Sequence, residues 1–185
     1  MEAERGQEFL ERFLERIEAP ASLALDRLFP GVEATLAALR RRGARLVLLS
    51  LRRSPDAFAG QVDHLGIGPA FELVDAGRAY EHGAMAKRHL IERAGFGAAA
   101  AVVGDTEADV LAARALGLAS VGVTTGLRNR GYLLAAGAGA VVDRIGRVPA
   151  SLDADYLAPW ALSPRAAATQ AAWSAMPSSR TTSGR

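Results

Sequence analysis

Val102-Val103-Gly104-Asp105-Thr106-Glu107-Ala108-Asp109 carries the clearest chemistry in this 185-residue chain. An apolar run ends in Gly-Asp, and a second Asp follows four residues later. A carboxylate at a strand end, preceded by Gly so that a ligand can approach closely, suits a hard cation such as Mg²⁺. Thr106 and Asp109 also have the spacing of a capping box, in which each side chain serves the other's backbone N–H at a helix start. Capping accounts for Thr106 and Asp109 and leaves Asp105 unexplained. For Asp109, capping and support of a site both stay open.

Lys87 stands out by composition. The 22 basic residues are 21 Arg and this one Lys. A position that keeps Lys against that bias points to a need for a compact ammonium instead of a planar fork. Such a group neutralises a phosphate or steadies adjoining carboxylates. The plainer reading is a solvated surface lysine. Ser50 closes the apolar run Leu46-Val47-Leu48-Leu49. Its hydroxyl, with the backbone N–H groups that follow at Leu51 and Arg52, is a candidate phosphate cradle. A turn cap is the plainer reading of that serine. Arg52 and Arg53 are candidate substrate contacts. Six Arg lie between Arg40 and Arg53 with no acid among them. Three of them end a helix and no aromatic is interleaved, so nucleic acid is not the expected partner. His64, His82 and His89 lack ligand spacing and read as structural or surface residues. Gly137-Ala138-Gly139 follows no strand and is no dinucleotide fingerprint.

These residues need elements to position them. Gln7 to Glu18 places Phe9, Leu10, Phe13, Leu14 and Ile17 at helical spacing, and Pro20 ends that helix. A second helix runs from Val32 through Leu39 and closes at Gly43. The apolar run to Ser50 reads as a buried strand. Ser54-Pro55 reads as an N-cap and first helical residue. Strands are then expected at Phe71 to Val74, Ala100 to Val103, Ser120 to Val123 and Ala140 to Val142. Helices are expected at Met85 to Ala94, Val110 to Leu116 and Tyr132 to Ala136. The strands are continuous apolar runs without period-2 alternation. That pattern predicts an α/β fold with a doubly wound parallel sheet, with ligands at the C-terminal strand ends.

Half the residues are hydrophobic and 39 are Ala, enough for one packed domain. Cys is absent, which excludes disulfides, thiolate metal sites and a Cys nucleophile. The net charge of +2 implies no strong field for nucleic acid. No uncharged apolar run reaches the ~18 residues of a membrane span. The acidic start, Met1-Glu2-Ala3-Glu4, lacks the apolar core of a signal peptide, so the expected compartment is the cytoplasm. From Pro164 the chain turns to Ala, Ser, Thr, Pro and Arg without period, and 164–185 is expected to be a disordered tail.

The order of these motifs resembles the haloacid dehalogenase (HAD) superfamily, and within it the phosphoglycolate-phosphatase-like members. The resemblance rests on Pro30-Gly31-Val32, the strand to Ser50, Lys87-Arg88-His89-Leu90-Ile91, Val102-Val103-Gly104-Asp105 with Asp109, and Val121-Gly122-Val123-Thr124-Thr125-Gly126. It covers roughly Leu28 to Val148. It implies a Rossmann-like core at 28–163 behind a remnant of a helical cap at 1–27. It also implies Mg²⁺ and hydrolysis of a phosphate monoester of a small metabolite through an aspartyl-phosphate. Ser50 would bind phosphate. Lys87 would be the catalytic charge stabiliser. Asp105 would be a Mg²⁺ ligand and Asp109 its supporting acid. The superfamily's nucleophile motif, a strand followed by Asp-x-Asp-Gly-Thr, does not occur here. The chain begins at what reads as the last cap helix, so the expectation is an N-terminally truncated and inactive phosphatase lacking the central strand. Two other readings stand beside it. One is a catalytically dead phosphate-binding or protein-interaction module. The other puts Leu23-Ala24-Leu25-Asp26 in the central strand position, with Asp26 as nucleophile.

Overall fold

The computed structural model describes residues 2–77, 83–95 and 100–152. Helices α1 (Glu2–Ile17), α2 (Pro20–Leu23) and α3 (Val32–Arg41) lead into strand β1 (Val47–Leu51). There follow α4 (Pro55–His64), β2 (Leu73–Gly77), α5 (Gly83–Ala94), β3 (Ala101–Gly104) and α6 (Glu107–Ala115). The order then runs β4 (Ala119–Val123), α7 (Arg130–Ala135), β5 (Ala140–Val142) and α8 (Val148–Ser151). The expected tail at 164–185 and His82 lie outside the described residues.

Local chemistry accounts for most boundaries. Ser54 is extended, and its Oγ accepts the Ala57 N–H at 3.1 Å while Pro55 opens α4. Asn129 caps α7 in the same way, accepting the Tyr132 N–H at 2.9 Å. Gly66 and Gly117 follow α4 and α6 with φ of +67°, a backbone state that β-carbon sterics disfavour. Three expectations shift. Pro20 opens α2 as well as closing the approach from α1, because its missing N–H costs nothing at a first helical position. Strand β1 is displaced by one residue, from Val47 through Ser50 to Leu51, since Leu51 also pairs with β2. Strand β2 begins two residues later than Phe71, after a 3-10 turn at Gly68–Ala70. Helix α8 has no counterpart among the expected elements. It carries Val148 against Val121 and Val123.

All strand pairs are parallel, as the continuous apolar runs imply. They form two sheets, β1-β2 and β3-β4-β5, and not one five-stranded sheet. The halves are joined underneath. Helix α5 packs on β1 and β2, α6 packs on β3 and β4, and the two helices pack on each other. Leu49 of β1 and Val102 of β3 rest on the same buried cluster of Ile91, Ala112, Ala113 and Leu118. Leu90 is 2% exposed, and Gly77 lets it press on β2, since a Cβ there would sit 2.9 Å from its Cδ1.

The register fixes which backbone groups are left over. In a parallel pair each residue turns both its N–H and its C=O to one neighbour, and successive residues alternate. Arg52 N–H donates to Gly77 O, so Leu48 and Ser50 turn toward β2 and Val47, Leu49 and Leu51 turn away. Thr124 N–H donates to Val142 O, so the same parity turns Ala101 and Val103 of β3 away from β4. The inner edges of β1 and β3 thus carry outward-turned backbone groups. Their burial agrees: β4 is buried throughout, whereas β1 is half-buried and Val103 is exposed.

Candidate active site

Lys87 lies in the first half of α5 and reaches across the junction of the two sheets. Its Nζ donates to Leu49 O at 3.0 Å, on the inner edge of β1. The same nitrogen is 3.0 Å from Asp109 Oδ1, with the two side chains 16% and 7% exposed. Asp109 Oδ2 accepts the Thr106 N–H at 3.2 Å and the Thr106 hydroxyl at 2.7 Å. Capping and the ion pair are therefore one arrangement: the acid that starts α6 also holds Lys87. Gly104 belongs to it. A Cβ at 104 would overlap the Asp109 carboxyl group. The close approach that this glycine allows is that of Asp109.

Asp105 follows β3 and is partly buried. Its Oδ2 accepts the Leu127 N–H at 3.0 Å. The loop after β4 passes so close that a Cβ at Gly126 would overlap the Asp105 carboxyl. Next to this crossing Arg128 grips Glu107 with two bonds, Nε to Oε2 at 2.7 Å and Nη2 to Oε1 at 2.8 Å. The guanidinium also lies 5.0 Å from the centre of the Tyr132 ring. The side-chain hydrogen bond from Arg128 is the main cause that lowers the Glu107 carboxyl from the ordinary 4.5 to about 2. Glu107 raises Arg128 in return.

Ser50 lies within β1 opposite Ala76, on the strand face opposite to Leu49 and Leu51. The structure does not bond it to Lys87, Asp105 or Asp109. The Leu51 N–H turns to the inner edge and its side chain reaches the start of α5 beside Gly83. Arg52 is turned elsewhere. It donates to Gln61 Oε1 at 3.1 Å and lies 5.8 Å from the centre of the Phe58 ring. Its Nε is buried and has no partner. The N–H groups of Arg53 and Ser54 donate to the Glu18 carboxylate at 3.0 and 3.3 Å. Arg53 in turn reaches Glu11 O at 2.9 Å. The first carboxylate on the loop after β1 thus comes from the end of α1. Nothing in the sequence pattern around Glu18 marks it, because its partners are 35 and 36 residues away.

The expectation for Asp26 is corrected. Leu23 ends α2, Ala24 and Leu25 form a turn, and no strand exists at 23–26. Pro20 and the small Ala residues around Ser22 favour a helical turn over an extended run. Asp26 is exposed and accepts the Gln61 side-chain amide. It stands with Gln61 of α4, not with Lys87.

The donor set tests the fit to a hard cation. Among the described residues, no three His, Asp or Glu side chains gather into a metal cluster. Both Asp109 oxygens are taken by Thr106 and Lys87. Asp105 remains, with one carboxylate oxygen carrying the Leu127 N–H. That fits one ligand of a Mg²⁺ shell, an ion that takes one or two carboxylates and completes its octahedron with water and substrate oxygens.

No helix among the described residues is long and apolar enough to cross a membrane. The haloacid dehalogenase-like hydrolase family matches residues 2–117. The phosphoglycolate phosphatase of Synechococcus elongatus is 38% identical over 130 residues, which cover 68% of this chain and 60% of that protein. The plasmid-encoded phosphoglycolate phosphatase of Cupriavidus necator is 39% identical over 143 residues, covering 73% of this chain and 60% of that protein. The chain therefore spans about three fifths of the length of these curated relatives. A solved haloacid dehalogenase-like hydrolase from Streptococcus pneumoniae superposes with a TM-score of 0.61 at 19% identity, over 71% of this chain and 63% of that one, and bears on the fold alone. With its parallel α/β core and a family match over more than half its length, this chain belongs to the haloacid dehalogenase-like hydrolases.

Proposed function

We propose that this chain forms most of the core of a Mg²⁺-dependent phosphatase that hydrolyses the phosphate monoester of a small metabolite. The observation that carries the reading is the placement of Lys87. The chain's one lysine is largely buried, held by Asp109, and set where the two sheet halves meet. There its charge offsets a phosphoryl group and adjoining carboxylates. Asp105 supplies one oxygen to the cation, which polarises the phosphoryl oxygens when bound. The Leu51 N–H and the Ser50 hydroxyl stand on β1 for the phosphate. Asp109 holds Lys87 in line and stays off the metal.

The attacking carboxylate is not among these residues. Covalent transfer needs it. We propose that it arrives on an extended strand that pairs with the inner edges of β1 and β3. The absence of Asp-x-Asp-Gly-Thr favours one second reading, a phosphate-binding module without turnover.

A fusion that places a strand ending in Asp-x-Asp-Gly-Thr ahead of α1 tests this. With Mg²⁺ it should hydrolyse p-nitrophenyl phosphate. Lys87→Ala should lower kcat by a factor on the order of 10²–10³, the size of loss typical of a removed charge stabiliser. Lys87→Arg should recover little, because the fork is larger and differently directed. Asp105→Ala should raise the Mg²⁺ requirement, and Ser50→Ala should be the mildest. Full activity in Lys87→Ala would overturn the assignment. Phosphate binding without turnover in the fusion would favour the second reading.

A further inference from the structure

We infer that Arg128 is a positioning residue for Asp105: paired with Glu107, it clamps Gly126-Leu127-Arg128 as a strap whose Leu127 N–H orients the Asp105 carboxylate. The inference rests on the phosphatase reading only for its purpose. The geometry stands by itself.

Three independent contacts converge on the strap. Gly126 crosses where no β-carbon fits beside Asp105. Leu127 donates its backbone N–H to Asp105 Oδ2 at 3.0 Å. Arg128 closes the crossing with two parallel bonds to Glu107, on the first turn of α6, and with the Tyr132 ring on α7. Nothing apolar holds the strap down, since the Leu127 side chain is 78% exposed. The position of its N–H therefore depends on the residues either side of it. On one side is a glycine against Asp105. On the other is a planar fork, the geometry by which guanidinium fixes orientation as well as distance.

The consequence is chemical. A carboxylate with one oxygen held by a backbone N–H is fixed about its side-chain torsion, and its other oxygen is the one offered to a cation. Residues at i and i+2 of one helix start, Asp105 and Glu107, are thus tied to consecutive residues of one strap, Leu127 and Arg128. The clamp leaves the chemistry to Asp105 and touches neither substrate nor metal.

Amide hydrogen exchange on the intact chain tests it, read at Leu127 and at Val121 in β4. Arg128→Met and Glu107→Gln should each speed Leu127 exchange about tenfold and Val121 exchange clearly less, since a part-buried, solvent-screened pair adds less to global stability than to the strap it holds. Asp105→Ala should speed Leu127 to the same extent, because it removes the acceptor. Arg128→Lys should recover only part of the protection, keeping the charge without the fork. In the strand-bearing fusion, Arg128→Met should raise the Mg²⁺ concentration needed for half-maximal rate more than it lowers kcat. Unchanged Leu127 exchange in Arg128→Met, or a parallel rise at Val121, would overturn the inference. Those exchange outcomes hold whether or not the fusion turns over, so failure of the phosphatase reading remains distinguishable.

Discussion

Removing one partner of the Lys87–Asp109 pair leaves the other charged and short of water. Asp109 is 5% exposed, so Lys87→Ala strands a carboxylate with only Thr106 to serve it. Breaking a buried pair from one side costs about 3–5 kcal/mol, and the partly open lysine puts this case near the lower end. Urea unfolding of Lys87→Ala should show a loss of about 3 kcal/mol, and Lys87→Met with Asp109→Asn together should lose less than the single change. A double loss equal to the sum of the losses from the two single changes would mean that the pair does not couple. Glu107 gives a pH prediction. Its carboxyl is lowered from 4.5 to about 2, so the folded chain holds it ionised more firmly than the unfolded chain does. Its contribution is fully present above 4.5 and is lost as pH falls through about 2. The Glu107 carboxyl carbon, followed by NMR, should titrate near 2 in the wild type and return toward 4.5 in Arg128→Met. An unaltered midpoint would remove Arg128 as the cause. Lys87, Asp105 and Asp109 were legible because their types and spacings stand out along the chain. Arg128, Glu18 and Gln61 were not. Glu107 lies 21 residues from Arg128, Arg53 and Ser54 lie 35 and 36 from Glu18, and Asp26 lies 35 from Gln61, and only folding brings such pairs together.

At the scale of elements, the parallel strands and most helices follow from apolar runs and end signals. Ser54-Pro55, Thr106 with Asp109, and the glycines after α4 and α6 punctuate the chain where the structure does. Helix α8 was not legible, because Val148-Pro149-Ala150-Ser151 is one turn without a period, held by Val148 under the sheet. Strand β1 runs one residue past Ser50 because pairing with Gly77 of β2, and not local preference, carries Leu51 into the ladder. The split into β1-β2 and β3-β4-β5 has a physical cost. The inner edges turn backbone groups and the exposed Val103 outward, which invites pairing with another chain. The isolated chain should bind a hydrophobic dye and self-associate with rising concentration in sedimentation. A sharp, reversible, concentration-independent melt of a dye-negative monomer would show that some segment of this chain closes the sheet.

In the whole molecule, Lys87 and Asp105, the proposed charge stabiliser and cation ligand, belong to a haloacid dehalogenase-like core of two half-sheets, whose inner edges we propose are paired by one more strand. Lys87 and Asp109 lie on α5 and α6, Asp105 at the end of β3, and the junction of the half-sheets passes between β1 and β3. Asp26, the acid that a sequence reading can offer as a substitute, is held by Gln61 away from this group. The most direct measurement is turnover of p-nitrophenyl phosphate with Mg²⁺ by the purified 185-residue chain, side by side with the strand-bearing fusion. The chain alone should show no turnover, and the fusion should show turnover that is lost when the strand's first Asp becomes Asn. Turnover by the chain alone that is abolished by Asp26→Asn would instead make Asp26 the nucleophile and leave no role for a further strand.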